Sequence, residues 1–209
     1  MTHHTDTIPQ LFDKNRYHVV RSLLSTTERV GLYRFALDAA RSGRLGADKL
    51  VPNSPASYAS EPTDELLERL LPRMEAVAGT ALYPTYSYYR VYKNGDVLTP
   101  HRDRPSCEIS VSIALGFDAP HPWPFFVEGP NGVCRADLYP GDGMLYRGCE
   151  CRHWREAFVG QHAAQVFLHY VAQNGPNASY RFDGRSSLSH RKPSADAEPA
   201  AAAVAGASV

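Results

Sequence analysis

The chain has no surplus of charge of either sign: 22 Lys and Arg stand against 22 Asp and Glu in 209 residues. General binders of nucleic acid or anionic membranes carry a basic excess, so neither partner is expected. No apolar run approaches the roughly 20 residues that cross a bilayer. The opening "MTHHTDTIPQLFDKN" also lacks the long apolar stretch of a secretory leader. Cysteine is limited to Cys107, Cys134, Cys149 and Cys151. These are read as reduced thiols in a cytoplasmic protein. No internal repeat is present, and nothing in the composition specifies an oligomeric state. The length suits one domain with a substantial core.

What is present divides into three stretches. Ser25-Thr26-Thr27-Glu28 has the spacing of a capping box. Val30, Tyr33, Leu37 and Ala40 then recur at helical intervals, and Gly43 and Gly46 supply stop signals. A loop rich in Pro, Ser and Ala follows over 51–60. A second helix starts near Thr63, with Leu66, Leu67, Leu70, Met74 and Val77 on its apolar side and a bend expected at Pro72. From Ala81 the pattern changes to short β-branched and aromatic runs, such as "LYPTYSYYRVY", "CEISVSIALG" and "AAQVFLHYV". Asn94-Gly95-Asp96, Gly129-Pro130-Asn131-Gly132 and Pro140-Gly141-Asp142 are turn formers between them. The expectation is a mainly β domain with N-terminal helices, built as a jelly-roll, cupin-like or double-stranded β-helix barrel. Residues 1–80 form the helical support, 81–175 the barrel, and 176–209 a disordered tail whose apolar content is almost all alanine.

Within the barrel, "TPHRDRP" carries His101 and Asp103, and "CECRHWREAF" carries His153. Side chains alternate along an extended chain, so His-x-Asp presents both groups on one side. A histidine about fifty residues later fits a strand returning across the sheet. Two imidazoles and one carboxylate on one face of an ion are the donor set of non-heme iron(II) centres. The rival grouping Cys149-x-Cys151-x-His153 would put two thiols and an imidazole on one strand face, lining the same cavity. Structural zinc sites favour wider cysteine spacing and a second ligand pair, which is not evident. His121, His162 and His169 read as wall or loop histidines.

The run "YRVYKNGDVLTPHRDR…SVSIALG…YPGDGMLYRG…HWREAFVGQHAAQVFLHYV" resembles the Fe(II)/2-oxoglutarate-dependent dioxygenase superfamily, and within it the prolyl-4-hydroxylase-like branch. The likeness spans residues 83–173. It rests on the Tyr-rich strand before His-x-Asp, the Pro-Gly-Asp turn and the distal His. It implies Fe(II) held by His101, Asp103 and His153, 2-oxoglutarate as co-substrate, and dioxygen as oxidant. The implied reaction oxidises an unactivated C–H bond and releases succinate and carbon dioxide. A carboxylate ligand at Asp103 argues against the halogenating variants, whereas desaturation or cyclisation stays open beside hydroxylation.

The far carboxylate of 2-oxoglutarate needs a buried cation, because an unpaired charge inside a barrel is costly. Relatives place an Arg or Lys nine or ten residues past the distal His, where this chain has His162 and Ala163. Arg155, Arg90 and His162 are therefore the candidates. The planar fork of arginine suits a carboxylate better than an imidazole does. Tyr92 occupies the position of a co-substrate tyrosine, and Ser112 and Ser110 alternate into the cavity. Arg102, Arg104, Glu108, Trp154, Tyr86, Tyr88 and Tyr89 around the expected mouth suit a polar small molecule, an amino acid or a peptidyl residue as substrate. Two other readings remain: a cupin-like iron oxygenase that does not use 2-oxoglutarate, and a non-catalytic binding barrel.

Overall fold

The computed structural model describes residues 5–43 and 45–189. In chain order the elements are α1 (Ile8–Asn15), β1 (Tyr17–Val20), α2 (Thr26–Arg41), β2 (Ala56–Tyr58), α3 (Glu61–Ala78), β3 (Leu82–Lys93), β4 (Leu98–His101), β5 (Ile109–Asp118), β6 (Phe125–Gly129), β7 (Gly132–Ala136), β8 (Gly143–Tyr146), β9 (Arg152–Arg155) and β10 (His162–Ala172). A 3₁₀ turn covers Pro105–Cys107, and Ala178–Gly184 holds short 3₁₀ pieces broken by a kink at Arg181, Phe182 and Asp183. The strands form two antiparallel sheets, a larger one in the order β1-β8-β5-β10-β3-β2 and a smaller one in the order β4-β9-β6-β7. The β-rich expectation is met, as two facing sheets and not as one continuous closed barrel.

The expected cap of α2 forms: the Ser25 hydroxyl accepts from Glu28 N at 3.3 Å, and Ser25 N donates to the Glu28 carboxylate at 2.9 Å. This reciprocal pair satisfies two of the donors a helix start leaves open. The apolar stripe of α3 is buried as its spacing predicts, with Leu67 and Met74 fully enclosed. Each such side chain contributes about 1.5–3 kcal/mol by leaving water. Truncating Leu67 to alanine removes that area and opens a cavity, at a cost of about 2–5 kcal/mol.

The large sheet has one dry face and one chemical face, and the alternation of β3, β5 and β10 explains both. Tyr89 and Val91, Val111 and Ile113, and Val166 and Leu168 belong to a core shared with the helices. Residues between them (Arg90 and Tyr92, Ser110 and Ser112, Gln165, Phe167 and His169) turn toward the smaller sheet. There Trp123, Phe125, Val127, Met144, Tyr146 and Phe158 make a second core. The helices thus cover one side, leaving polar side chains between the sheets.

Two features depart from the sequence expectation. The first 80 residues supply strands as well as helices: β1 pairs with β8, placing Tyr17 opposite Tyr146, and β2 pairs with β3. Residues 176–189, expected in the disordered tail, are structured. Leu188 is fully buried, and Asp64 accepts from Ser189 N at 2.9 Å and from the Arg185 guanidinium at 2.8 Å. A polar-looking segment is held there by two specific anchors that composition does not reveal. The rest of the expected tail, 190–209, lies outside the described residues.

Candidate metal centre

His101 ends β4 and pairs directly with His153 in β9. Leu98 pairs with Arg155, so three steps along β4 match two along β9, which marks a β-bulge. The extra residue lets both Leu98 and His101 face inward, although an unbroken strand would send them to opposite sides. Pro100 fits there because β4 is an edge strand.

The two imidazole rings lie 4.3 Å apart, centroid to centroid. Nε2 of His101 is 3.7 Å from Asp103 Oδ1, and Nε2 of His153 is 3.5 Å from the same oxygen. The three donor atoms all lie within 4.8 Å of one another, a grouping able to hold a metal ion. Nδ1 of His101 faces the Thr99 carbonyl at 2.8 Å, and Nδ1 of His153 faces the Cys151 carbonyl at 3.0 Å. A carbonyl only accepts, so both protons belong on Nδ1 and both Nε2 lone pairs face the centre. This second layer fixes tautomer and ring orientation, as ligating histidines require.

Asp103 is set by backbone and side chain together. Its amide donates to the Gly148 carbonyl at 2.9 Å, and its Oδ2 accepts from the Ser110 hydroxyl at 3.2 Å. Gly148 is needed here, since a Cβ on it would run into Asp103 Oδ2 and the Cys107 carbonyl. Burial raises the Asp103 carboxyl, but the pull of the surrounding imidazoles when protonated, His153 first, outweighs it and holds the group below the ordinary carboxylate range. Burial, followed by the repulsion of His153, lowers His101. Both shifts favour the forms that bind a cation: an ionised carboxylate and a neutral imidazole.

The centre opens into a cavity of about 160 Å³, walled by Tyr86, Tyr88, Tyr92, Phe125, Tyr146 and Phe167, with Asp48, Arg90 and His169 as polar groups. That volume suits small ligands. His169 was not expected at the site. Its Nδ1 lies 2.8 Å from the Ser110 hydroxyl, and burial lowers it to about 4, so it stays neutral. Its place in the every-second-residue series Gln165, Phe167, His169 is the signal that it shares their face.

The proposed anchor residues separate clearly. Arg90 is buried at the cavity wall, but its guanidinium is engaged by the Asp48 carboxylate and donates to the Val51 carbonyl at 3.1 Å. His162 faces the helices, with Nε2 2.8 Å from the Tyr33 hydroxyl. Arg155 is 1% exposed and lies two residues past His153 in β9. It donates to the Trp123 carbonyl at 2.6 Å, and one Nη also reaches Ser112 Oγ and Gln165 Oε1 at 3.4 Å. Its Nε has no acceptor, and among the described residues no carboxylate pairs with it. Burial lowers it to about 10, so it remains a cation at neutral pH.

Several sequence candidates point elsewhere. Cys149 and Cys151 lie in the turn before β9 and not on it; their sulfurs contact the Arg104 and Arg16 carbonyls at 3.3 and 3.8 Å. Neither joins a metal-binding group among the described residues, so the zinc grouping is not formed. Trp154 stacks on Phe126 at 5.4 Å, as its position between the inward His153 and Arg155 dictates. Arg102 donates to the Glu150 carbonyl at 3.0 Å, and Glu108 accepts from Asn177 at 3.1 Å. Tyr89 packs in the helix-side core.

No family model and no curated protein sequence matches the chain. Solved structures do. A Pseudomonas putida prolyl-4-hydroxylase superposes with a TM-score of 0.63 at 12% identity, covering 79% of this chain and 97% of its own. EctD from S. alaskensis, with 2-oxoglutarate and 5-hydroxyectoine, gives 0.61 at 16%, covering 77% and 73%. The chain has the double-stranded β-helix fold of these enzymes. HygX from Streptomyces hygroscopicus, holding nickel, 2-oxoglutarate and hygromycin B, gives 0.61 at 14%, covering 78% and 86%. At these identities the likeness is one of fold. In this double-stranded β-helix, His101, Asp103 and His153 converge between the two sheets. No helix among the described residues is long and apolar enough to cross a membrane.

Proposed function

We propose that this protein is an Fe(II)- and 2-oxoglutarate-dependent oxygenase. It oxidises an unactivated C–H bond of a polar small molecule, amino acid or peptidyl residue. The observation that carries the reading is Arg155: a buried guanidinium without a carboxylate, on the same strand face as His153 and two residues away. A cation in that position has a purpose when a dicarboxylate binds the neighbouring metal. A cupin-like oxygenase without such a co-substrate leaves the charge with only carbonyl, hydroxyl, amide and aromatic partners.

His101, Asp103 and His153 would hold the iron through two Nε2 atoms and one carboxylate, leaving the opposite face for other ligands. The bound iron and 2-oxoglutarate together supply the oxidising chemistry, with succinate and carbon dioxide as co-products. The chain contributes placement and electrostatics. Arg155 pairs with the far carboxylate of the co-substrate, assisted by Ser112 and Gln165. Tyr92, only 1% exposed, lines the cavity and packs roughly perpendicular to the Trp123 ring at 4.7 Å, giving that wall an aromatic, water-excluding face. Arg90, neutralised by Asp48, belongs to the cavity wall. His162 has no part in binding.

Anaerobic titration of the protein with Fe(II) and then 2-oxoglutarate tests the proposal. A weak visible metal-to-ligand charge-transfer band is expected in the wild type and not in Asp103→Ala. A wild type without the band, or a band that survives Asp103→Ala, rejects it. Succinate release that needs both 2-oxoglutarate and oxygen separates it from the cupin-like alternative.

A further inference from the structure

Arg104 follows the metal ligand Asp103 in the chain and sets its guanidinium 4.7 Å from the centroid of the Tyr86 ring. Tyr86 in turn lines the cavity beside Asp103 and His169. Both terminal nitrogens of Arg104 are taken by one carboxylate, that of Asp183, at 2.9 and 2.7 Å. The Tyr58 hydroxyl donates to the same carboxylate at 2.6 Å, and the Tyr58 ring stacks on Tyr86 at 4.9 Å. A guanidinium fork, a phenol donor and an aromatic floor are the parts of a carboxylate site. Its present occupant belongs to the chain itself.

That occupant is held in a costly backbone conformation. Phe182 and Asp183 both have φ of 55°, in the left-handed region that side-chain-bearing residues avoid. The same segment is also anchored on both sides. Upstream, Asn177 donates to Glu108 at 3.1 Å. Downstream, Arg185 bonds Asp64 at 2.8 Å and the Thr85 carbonyl at 2.9 Å, and Leu188 is fully buried. These anchors do not use the Asp183 carboxylate, and Gly184 (φ 76°) adjoins it.

We infer that Arg104, Tyr58 and Tyr86 form a subsite for a carboxylate group of the substrate, occupied in cis by Asp183 until such a ligand displaces it. The word substrate rests on the oxygenase reading; the subsite itself needs no iron. It assigns a small-molecule carboxylate to the cavity rim, away from the buried Arg155.

The test uses the full chain without metal, benzoate as probe and benzamide as its neutral counterpart, read by calorimetry. Asp183→Asn is expected to bind benzoate at least ten-fold more tightly than the wild type, with benzamide unchanged. Asp183→Gly, which keeps the left-handed backbone without strain, is a second release variant and is expected to do the same. Adding Arg104→Gln to either should abolish the gain, and 2-oxoglutarate should not compete. Equal benzoate affinity in the wild type and both release variants overturns the inference. So does binding that survives Arg104→Gln or is displaced by 2-oxoglutarate, since the anion would then sit elsewhere. A missing charge-transfer band with these results intact would reject the oxygenase reading alone.

Discussion

Arg155 lies two residues beyond His153 on one strand, 1% exposed, with Nε lacking any acceptor. A buried cation without a counter-charge destabilises the empty protein. Lowering it to about 10 corresponds to roughly 3 kcal/mol of penalty on the charged form. Arg155→Met is therefore expected to stabilise the apoprotein by about 1–3 kcal/mol. It should weaken 2-oxoglutarate binding at least 100-fold, because about 3 kcal/mol of charge-assisted pairing is lost. Denaturant unfolding and co-substrate titration measure the two effects, which should have opposite signs.

His162 sits where relatives place the co-substrate cation, yet its ring bonds Tyr33. His162→Asn should leave 2-oxoglutarate affinity within about twofold. The lost helix-to-sheet hydrogen bond should cost about 1 kcal/mol of stability. A large rise in the 2-oxoglutarate KM would contradict the geometry.

Gly148 is pressed against the Asp103 carboxylate. Gly148→Ala should shift that carboxylate and lower Fe(II) affinity by about ten-fold or more, since small displacements of a ligand are expensive. Far-UV circular dichroism should stay native, distinguishing a displaced ligand from an unfolded chain.

Asp64 links α3, β3 and the C-terminal segment through Ser87, Arg185 and Ser189. Burial raises its carboxyl, but these hydrogen bonds outweigh it and hold the group below its ordinary value. As pH falls the unfolded chain then binds the proton first. The stability Asp64 contributes is complete above an ordinary aspartate's value of about 4 and is lost as pH drops through the folded value. Asp64→Asn should cost about 2–3 kcal/mol at neutral pH. It should also flatten the dependence of the urea midpoint on pH between about 4 and 2. An unchanged slope would show that the carboxylate is not the group responsible.

The grouping of His101, Asp103 and His153 was legible because it depends on local rules. His-x-Asp needs only an extended backbone, and His153 follows a turn signal at a strand start. The helix-side core was equally plain in the spacing of Leu66, Leu67, Leu70 and Met74. Long-range partners were not. Nothing near Arg90 in sequence announces Asp48, 42 residues earlier, and nothing near Arg104 announces Asp183. Arg90 and Arg155 both alternate inward, but Arg90 lines the cavity and pairs with Asp48, whereas Arg155 has no carboxylate partner among the described residues. β1 escaped notice because Tyr17–Val20 is too short to show a period, and Leu188 because one apolar residue in a polar stretch carries little signal. Cys149 and Cys151 misled for a related reason. The strand begins only at Arg152, so alternation does not extend back to them.

The unmatched residue between Leu98 and His101 gives the chain an unusual vulnerability. Excising Thr99 or Pro100 would set two steps against two and keep both side chains inward, whereas flattening the offset at full length would turn His101 to the outer surface. Shape, more than length, guards this corner: the first imidazole stands beside Asp103 and His153 only while the surplus residue stays bulged out of register.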